Sequence, residues 1–176
     1  SMWRCAVVLL FPKPNKSPTC PSSFRPISLT SCTGKLMEKI INIRLSNLLE
    51  SENHLVPQQQ YGFRKMRSSI DALIRLSTDI HEAFSRREHL VCIFFDMMKA
   101  YDTTWKFGIL KAVHDLGIRG YMANFIRNFL SDRRFRTKIG YNMSDYHLQE
   151  EGVPQGSVLS CTLFSLDINN RTSRNC

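Results

Sequence analysis

The spacing of apolar residues changes repeatedly along this chain, and each change predicts an element. Residues 5–11, CAVVLLF, form an uninterrupted apolar run stopped by Pro12 and Pro14, which reads as a buried or edge strand. The stretch KPNKSPTCPSS is broken by prolines and small polar residues into a loop, which ends at FRPISL. Over 34–50, Leu36, Ile40, Ile43 and Leu48, with Met37, Ile41 and Leu45 beside them, make a wide helical stripe. A second helix is predicted over 69–87, opened by serine and carrying Ile70, Leu73, Ile74, Ile80, Ala83 and Phe84 on its apolar side.

The period then changes. HLVCIFF, residues 89–95, is a continuous run rich in β-branched and aromatic residues, too short for a helix and consistent with a strand buried on both faces that stops at Asp96. Helices are predicted over 104–116 and 121–130, separated by Gly117 and Gly120. Residues 134–151 fit a hairpin, with FRTKIG and DYHLQE as arms and a turn at 140–142. A last helix follows GVPQG, where Gly152, Pro154 and Gly156 punctuate the chain and Ser157 is a candidate N-cap. No internal repeat divides these elements, so the expected fold class is one α+β unit with helices packed on a small, mainly antiparallel sheet.

Composition narrows the class. The 176 residues are 43% hydrophobic and 10% aromatic, enough material for a core, and no segment reaches the roughly 18 uninterrupted apolar residues of a membrane span. The six cysteines, at 5, 20, 32, 92, 161 and 176, show no C-x-x-C pair and no ligand spacing to a histidine, which argues against zinc. They lack the density of a disulfide scaffold, and free thiols in a reducing, intracellular setting are expected. The formal charge of +9 favours a polyanionic partner, with basic clusters at Arg64, Lys65 and Arg67, at Arg86 and Arg87, and at Arg133, Arg134, Arg136 and Lys138. Each cluster also reads as a solvated face.

A few residues carry candidate chemistry. Asp96, at the end of an apolar strand, either presents a carboxylate to a cation or a phosphate-bearing ligand, or simply forms a turn. Asp102 reads as the N-cap of the next helix or as a second ligand, and Tyr101 is either core or the border of whatever Asp96 holds. Lys13 and Arg25 flank the proline-rich loop, where paired cations suit a triphosphate or are merely exposed. The glycines around Gln155 permit close backbone approach to a flat ligand, or mark a helix start.

In order, FPKPNK, SFRPISLTSCTGKLMEKI, QQYGFRKMRSSIDAL, FFDMMKAYDTTW and GVPQGSVLSCTLF resemble successive blocks of the reverse transcriptase of non-LTR retrotransposons, of the jockey kind. The resemblance implies an RNA-directed DNA polymerase of right-hand architecture, with about 1–90 mainly fingers, about 91–170 mainly palm with intervening helices, and 171–176 a non-matching tail. It implies two Mg2+ or Mn2+ ions, roughly 3.5 to 4 Å apart, acting on the primer hydroxyl and the leaving pyrophosphate. By the same resemblance Asp96 is a catalytic metal ligand, Met97 offers its carbonyl to a metal, and Tyr101 lies under the sugar. Lys13 and Arg25 meet the incoming deoxynucleoside triphosphate, and Gln155 and Gly156 line the nucleotide pocket and touch the template. Arg64 and Arg67 lie near the path of an RNA template paired with a DNA primer, holding phosphate without reading sequence.

The chain departs from the family pattern at Cys161, where proline is usual, at Met98, and at Lys65 and Met66, where Pro-Gly is frequent. The Tyr-x-Asp-Asp block that supplies further carboxylates is expected beyond the Gln-Gly block and is not in this sequence. The isolated chain is therefore expected not to polymerise, and a non-catalytic nucleic-acid-binding remnant is the alternative expectation. A strand ending at Asp96 without its neighbour is expected to leave an open edge and marginal stability.

Overall fold

Strand β1 (Cys5–Pro12) pairs antiparallel with β2 (Phe24–Leu29) on one side and parallel with β3 (Arg134–Ile139) on the other, so the apolar run at the start of the chain is central rather than an edge. Ala6 and Val8 alternate inward along it, as the two-residue period of a strand requires. These contacts come from a computed structural model that describes residues 2–51 and 56–172. Cys176 and residues 173–176 of the tail lie outside the described residues.

Beyond β3, the short strands β4 (Asn142–Met143) and β5 (His147–Leu148) both return antiparallel onto it, pairing Ile139 with Asn142 and Phe135 with His147. That is the predicted hairpin, turning at Gly140 with φ +59°. The sheet is mixed: three of its pairings are antiparallel, as expected, and the β1–β3 ladder is parallel. Sequence reading gave FRPISL no element. It forms β2, and Pro26 is tolerated there because β2 is an edge strand.

Five α-helices follow the predicted positions among the described residues: α1 (Cys32–Ser51), α2 (Ser69–Ser85), α3 (Lys106–Asp115), α4 (Gly120–Leu130) and α5 (Ser160–Thr172). They pack chiefly on one another rather than on the sheet. Leu45, Ile109, Ile126, Leu159, Leu163 and Leu166 meet in one buried cluster drawn from α1, α3, α4, α5 and the turn before α5. Gly108 lets α3 close onto α5, since a Cβ there would stand 2.6 Å from both Asp167 Oδ1 and the Trp105 ring.

Helix phase and caps differ from expectation in three places, on α1, at Asp102 and at Ser157. The buried face of α1 runs through Glu38, Leu45 and Leu49, while Leu36, Met37, Ile40 and Ile43 of the expected stripe point outward. Helix α2 starts at Ser69 as expected, with Ser68 before it as N-cap in a capping box: Ser68 N donates to Asp71 Oδ2 at 2.7 Å and Asp71 N to Ser68 Oγ at 3.3 Å. Asp102 caps nothing, because α3 begins at Lys106; the carboxylate at its head is that of Asp167, which accepts from Trp105 N at 3.2 Å. Ser157 does not cap α5, which begins at Ser160. Its hydroxyl is turned to Glu38 instead.

The largest correction concerns residues 89–95, which form no strand. Val91, Phe94 and Phe95 are 82%, 81% and 89% exposed. A strand buried on both faces needs neighbours for its backbone and cover for its side chains, and both ladder positions beside β1 are taken by β2 and β3. The apolar side of α2 is likewise uncovered at Ile70, Leu73, Ile74 and Phe84.

Candidate functional site

The turn at residues 152–156 is fixed by backbone on two sides. Gly152 has φ +74°, and a Cβ there would lie 2.6 Å from the carbonyl oxygens of both Tyr101 and Asp102. Gly152 N donates to Thr104 O at 3.1 Å and Val153 N to Tyr101 O at 2.8 Å, tying the turn to the AYDTTW segment. On its other side Ser28 N of β2 donates to Gln155 O at 2.7 Å, and Gly156, at φ +118°, leaves only 2.8 Å between its would-be Cβ and Ser28 O. Only glycine permits such approach without steric conflict. The GVPQG stretch therefore joins β2 to residues 101–104.

This junction walls a cavity of about 340 Å³ lined by Lys13, Arg25, Lys99, Tyr101, Asp102 and Gln155, among others. Lys13 follows the end of β1, and its Nζ donates to Ser22 O at 2.9 Å across the proline-rich loop. Arg25 stands on β2 in register with Phe11. Three cations facing one carboxylate make the cavity suited to a polyphosphate, with Arg25 offering a fork and the lysines point charges. Burial pushes the Asp102 carboxyl above the usual carboxylate range, against the opposing pull of Lys99 and Lys13.

Tyr101 supplies the flat wall. Its ring packs at 5.3 Å from that of Phe164, and its hydroxyl lies 3.4 Å from Cys161 Sγ. Burial, with the contact to Cys161, pushes the phenol upward, so it stays protonated at neutral pH. Among the described residues, the cysteines at 20, 32, 92 and 161 are thiols outside any disulfide.

Of the residues singled out from sequence, Lys13, Arg25, Tyr101 and Gln155 are brought to one cavity, with Gly156 in the wall behind it. Asp96 and Met97 are not on its lining; both belong to the exposed stretch after residue 88. Among the described residues no three His, Cys, Asp or Glu side chains are grouped for a metal ion. The donor set for two divalent cations is thus not assembled by the described residues.

Arg64 and Arg67 lie on the segment before α2. Arg64 forks onto Glu50, Nε to Oε1 at 2.8 Å and Nη2 to Oε2 at 2.7 Å, and its Nη1 donates to Pro57 O at 2.8 Å. The Glu50 carboxylate holds its guanidinium in the charged form. Arg67 donates to Gln58 O at 2.7 Å and sits 5.4 Å from the Tyr61 ring centroid. Arg133, counted above in a basic cluster, is 2% exposed and stacks on Phe129, so it is no part of a surface patch. Sequence reading missed Lys99 and Glu38. The latter was detectable, since an acid in helical phase with Leu45 and Leu49 falls on the packed face.

Known proteins match over the same span. The family described as reverse transcriptase (RNA-dependent DNA polymerase) matches residues 11–174. The chain is 36% identical over 164 residues to a probable RNA-directed DNA polymerase from transposon BS of Drosophila melanogaster, covering 93% of this chain and 18% of that protein. It is 33% identical to the RNA-directed DNA polymerase from mobile element jockey of the same species, again over 93% of this chain and 18% of the relative. A retrovirus-related Pol polyprotein from type-1 retrotransposable element R2 of Popillia japonica is 29% identical, over 93% of this chain and 22% of its own length. The chain spans about a fifth of the length of these curated relatives. With that match over nearly all of its length, and a loop-and-turn junction built from the blocks that carry it, the chain belongs to the reverse transcriptase (RNA-dependent DNA polymerase) family and aligns with its non-LTR retrotransposon members.

Proposed function

We propose that this chain is the fingers and first part of the palm of a right-hand RNA-directed DNA polymerase, with about 1–90 mainly fingers and about 91–170 mainly palm. Its partners in this reading are an RNA template, a DNA primer and a deoxynucleoside triphosphate, in the intracellular setting that the cysteine usage suits. The observation that carries it is the convergence of Lys13, Arg25, Tyr101 and Gln155, from four separate sequence blocks, on one cavity. Lys13 and Arg25 would neutralise the triphosphate, Tyr101 would lie against the sugar, and Gln155 with Gly156 would shape the base and template side. Arg67, partly committed to Gln58 O, and Arg64, committed to Glu50, would order the segment bordering the template path.

Divalent metal, Mg2+ or Mn2+, belongs to the family expectation, with Asp96 and the Met97 carbonyl as candidate ligands. Nucleotide binding and nucleotide incorporation are therefore separable in this chain. The test is a titration with dATP and with inorganic tripolyphosphate, beside a primer-extension assay with Mg2+. Saturable binding weakened at least tenfold by Lys13→Ala or Arg25→Ala is expected, and absence of binding would defeat the reading. A second reading, a non-catalytic nucleic-acid-binding remnant, is favoured by the position of Asp96 off the cavity. Salt-sensitive RNA binding without nucleotide binding or incorporation would select it.

A further inference from the structure

We propose that Glu38 is a positioning residue for the nucleotide cavity, acting through Gln155; the inference rests on the nucleotide reading given above. Glu38 lies on α1 and is only 5% exposed, an uncommon situation for an acid. Its Oε2 accepts from Ser157 Oγ at 2.6 Å and from Val158 N at 2.9 Å, bonds that span 119 and 120 residues of sequence. One helical turn further along α1, Asn42 Oδ1 accepts from Thr162 Oγ1 at 2.6 Å. Two polar stitches on one face of α1 thus hold the segment that leaves the Gln-Gly turn.

The location of those stitches gives them a function beyond packing. Gln155 is anchored upstream by Gly152 and Val153 to residues 101–104 and laterally through its own carbonyl to Ser28. Glu38 supplies the downstream anchor, two residues past Gln155. Without it, Ser157 Oγ and Val158 N lose a shared acceptor in a buried setting, and the turn must move to find other partners. An apolar residue would fill this place on the packed face at lower desolvation cost, so the carboxylate is explained by what it holds. Its negative charge also opposes the effect of burial on Arg133, whose guanidinium lies behind α1.

Because Glu38 lines no part of the cavity that holds Lys13 and Arg25, it can alter the base-and-sugar side while leaving the phosphate side intact. The experiment compares dATP with inorganic tripolyphosphate on wild type, Glu38→Ala, Glu38→Gln, Gln155→Ala and the Glu38→Ala/Gln155→Ala double variant. Glu38→Ala is expected to weaken dATP at least tenfold and tripolyphosphate less than twofold, and Glu38→Gln, which keeps an acceptor oxygen, is expected to recover most of the loss. The double variant is expected to bind dATP no more weakly than Gln155→Ala alone, since residues acting through one another are not additive.

Parallel weakening of both ligands, an additive double variant, or unchanged dATP binding in Glu38→Ala overturns the proposal. If Glu38→Ala does not fold, Glu38→Asp, which withdraws the carboxylate by one methylene, is judged by the same ratio of ligands. Wild type that binds tripolyphosphate and dATP equally overturns the role of Gln155 and of Glu38 with it. Wild type that binds neither overturns the nucleotide reading itself.

Discussion

Replacing Gly152 by alanine isolates the junction between the Gln-Gly turn and residues 101–104. Two effects add. A side chain at φ +74° costs about 1–2 kcal/mol for the left-handed backbone, and its Cβ would stand 2.6 Å from two backbone oxygens, which cannot rotate away as a flexible side chain would. Overpacking of that kind costs about 1–3 kcal/mol. Relief requires the two segments to separate, which strains the bonds from Gly152 N to Thr104 O and from Val153 N to Tyr101 O. Those contribute about 0.5–1.5 kcal/mol each. The expected cost is about 3–8 kcal/mol, a large part of the roughly 5–15 kcal/mol that stabilises a typical domain.

Gly140→Ala is the internal control. Gly140 also has positive φ, at +59°, but nothing lies within 4 Å of its would-be Cβ, so only the backbone cost of about 1–2 kcal/mol should appear. Urea unfolding followed by circular dichroism, with slopes compared to verify a common unfolded state, measures both variants. Costs for Gly152→Ala and Gly140→Ala that agree within about 1 kcal/mol would refute the reasoning, because steric approach to residues 101 and 102 is the principal difference between them.

Three further outcomes are expected. Arg64→Ala should lower stability by about 2 kcal/mol, because Glu50 loses a two-pronged partner and the carbonyl of Pro57 loses a donor, and a urea midpoint unchanged from wild type would contradict it. Phe94→Lys with Phe95→Lys should reduce self-association in sedimentation velocity while changing stability by less than about 0.5 kcal/mol each, and wild type that stays monomeric at high concentration would contradict it. Asp102 has its carboxyl raised in the folded chain, so its contribution to stability is full below the usual carboxylate range and is lost as pH rises through the raised value. Tripolyphosphate binding should weaken over that same rise as a negative charge appears in the cavity, and Asp102→Asn should flatten the profile; a pH-independent wild type would exclude the effect.

Local signals in the sequence were reliable where they did not depend on a distant partner. The proline-broken loop, the hairpin turning at Gly140 and the order of five helices follow from periodicity and breaker residues that act over a few positions. The run at 89–95 misled because β-branched and aromatic content reports fitness for a sheet, and says nothing of whether a neighbouring strand stands beside it. Helix phase on α1 misled for a related reason: several apolar residues were available for the packed face, and Glu38, in phase with Leu45 and Leu49, takes a buried place on it. Lys13, Arg25, Tyr101 and Gln155 were legible as residue types from the family blocks. The same blocks place them around one nucleotide, but the backbone bonds from residues 152–156 to β2 and to residues 101–104 that bring them together carry no sequence signal.

The parallel pairing of β1 with β3 also sets a timetable for the nascent chain. The flanking contact between Arg4 and Asp132 closes over 128 residues, so β1 emerges long before its central partner exists. At synthesis rates of roughly 5–20 residues per second, that interval is about 6–26 seconds. During it, CAVVLLF can be sheltered on one edge by β2 while the other remains open, which makes the first strand of this sheet a candidate for chaperone engagement at the ribosome.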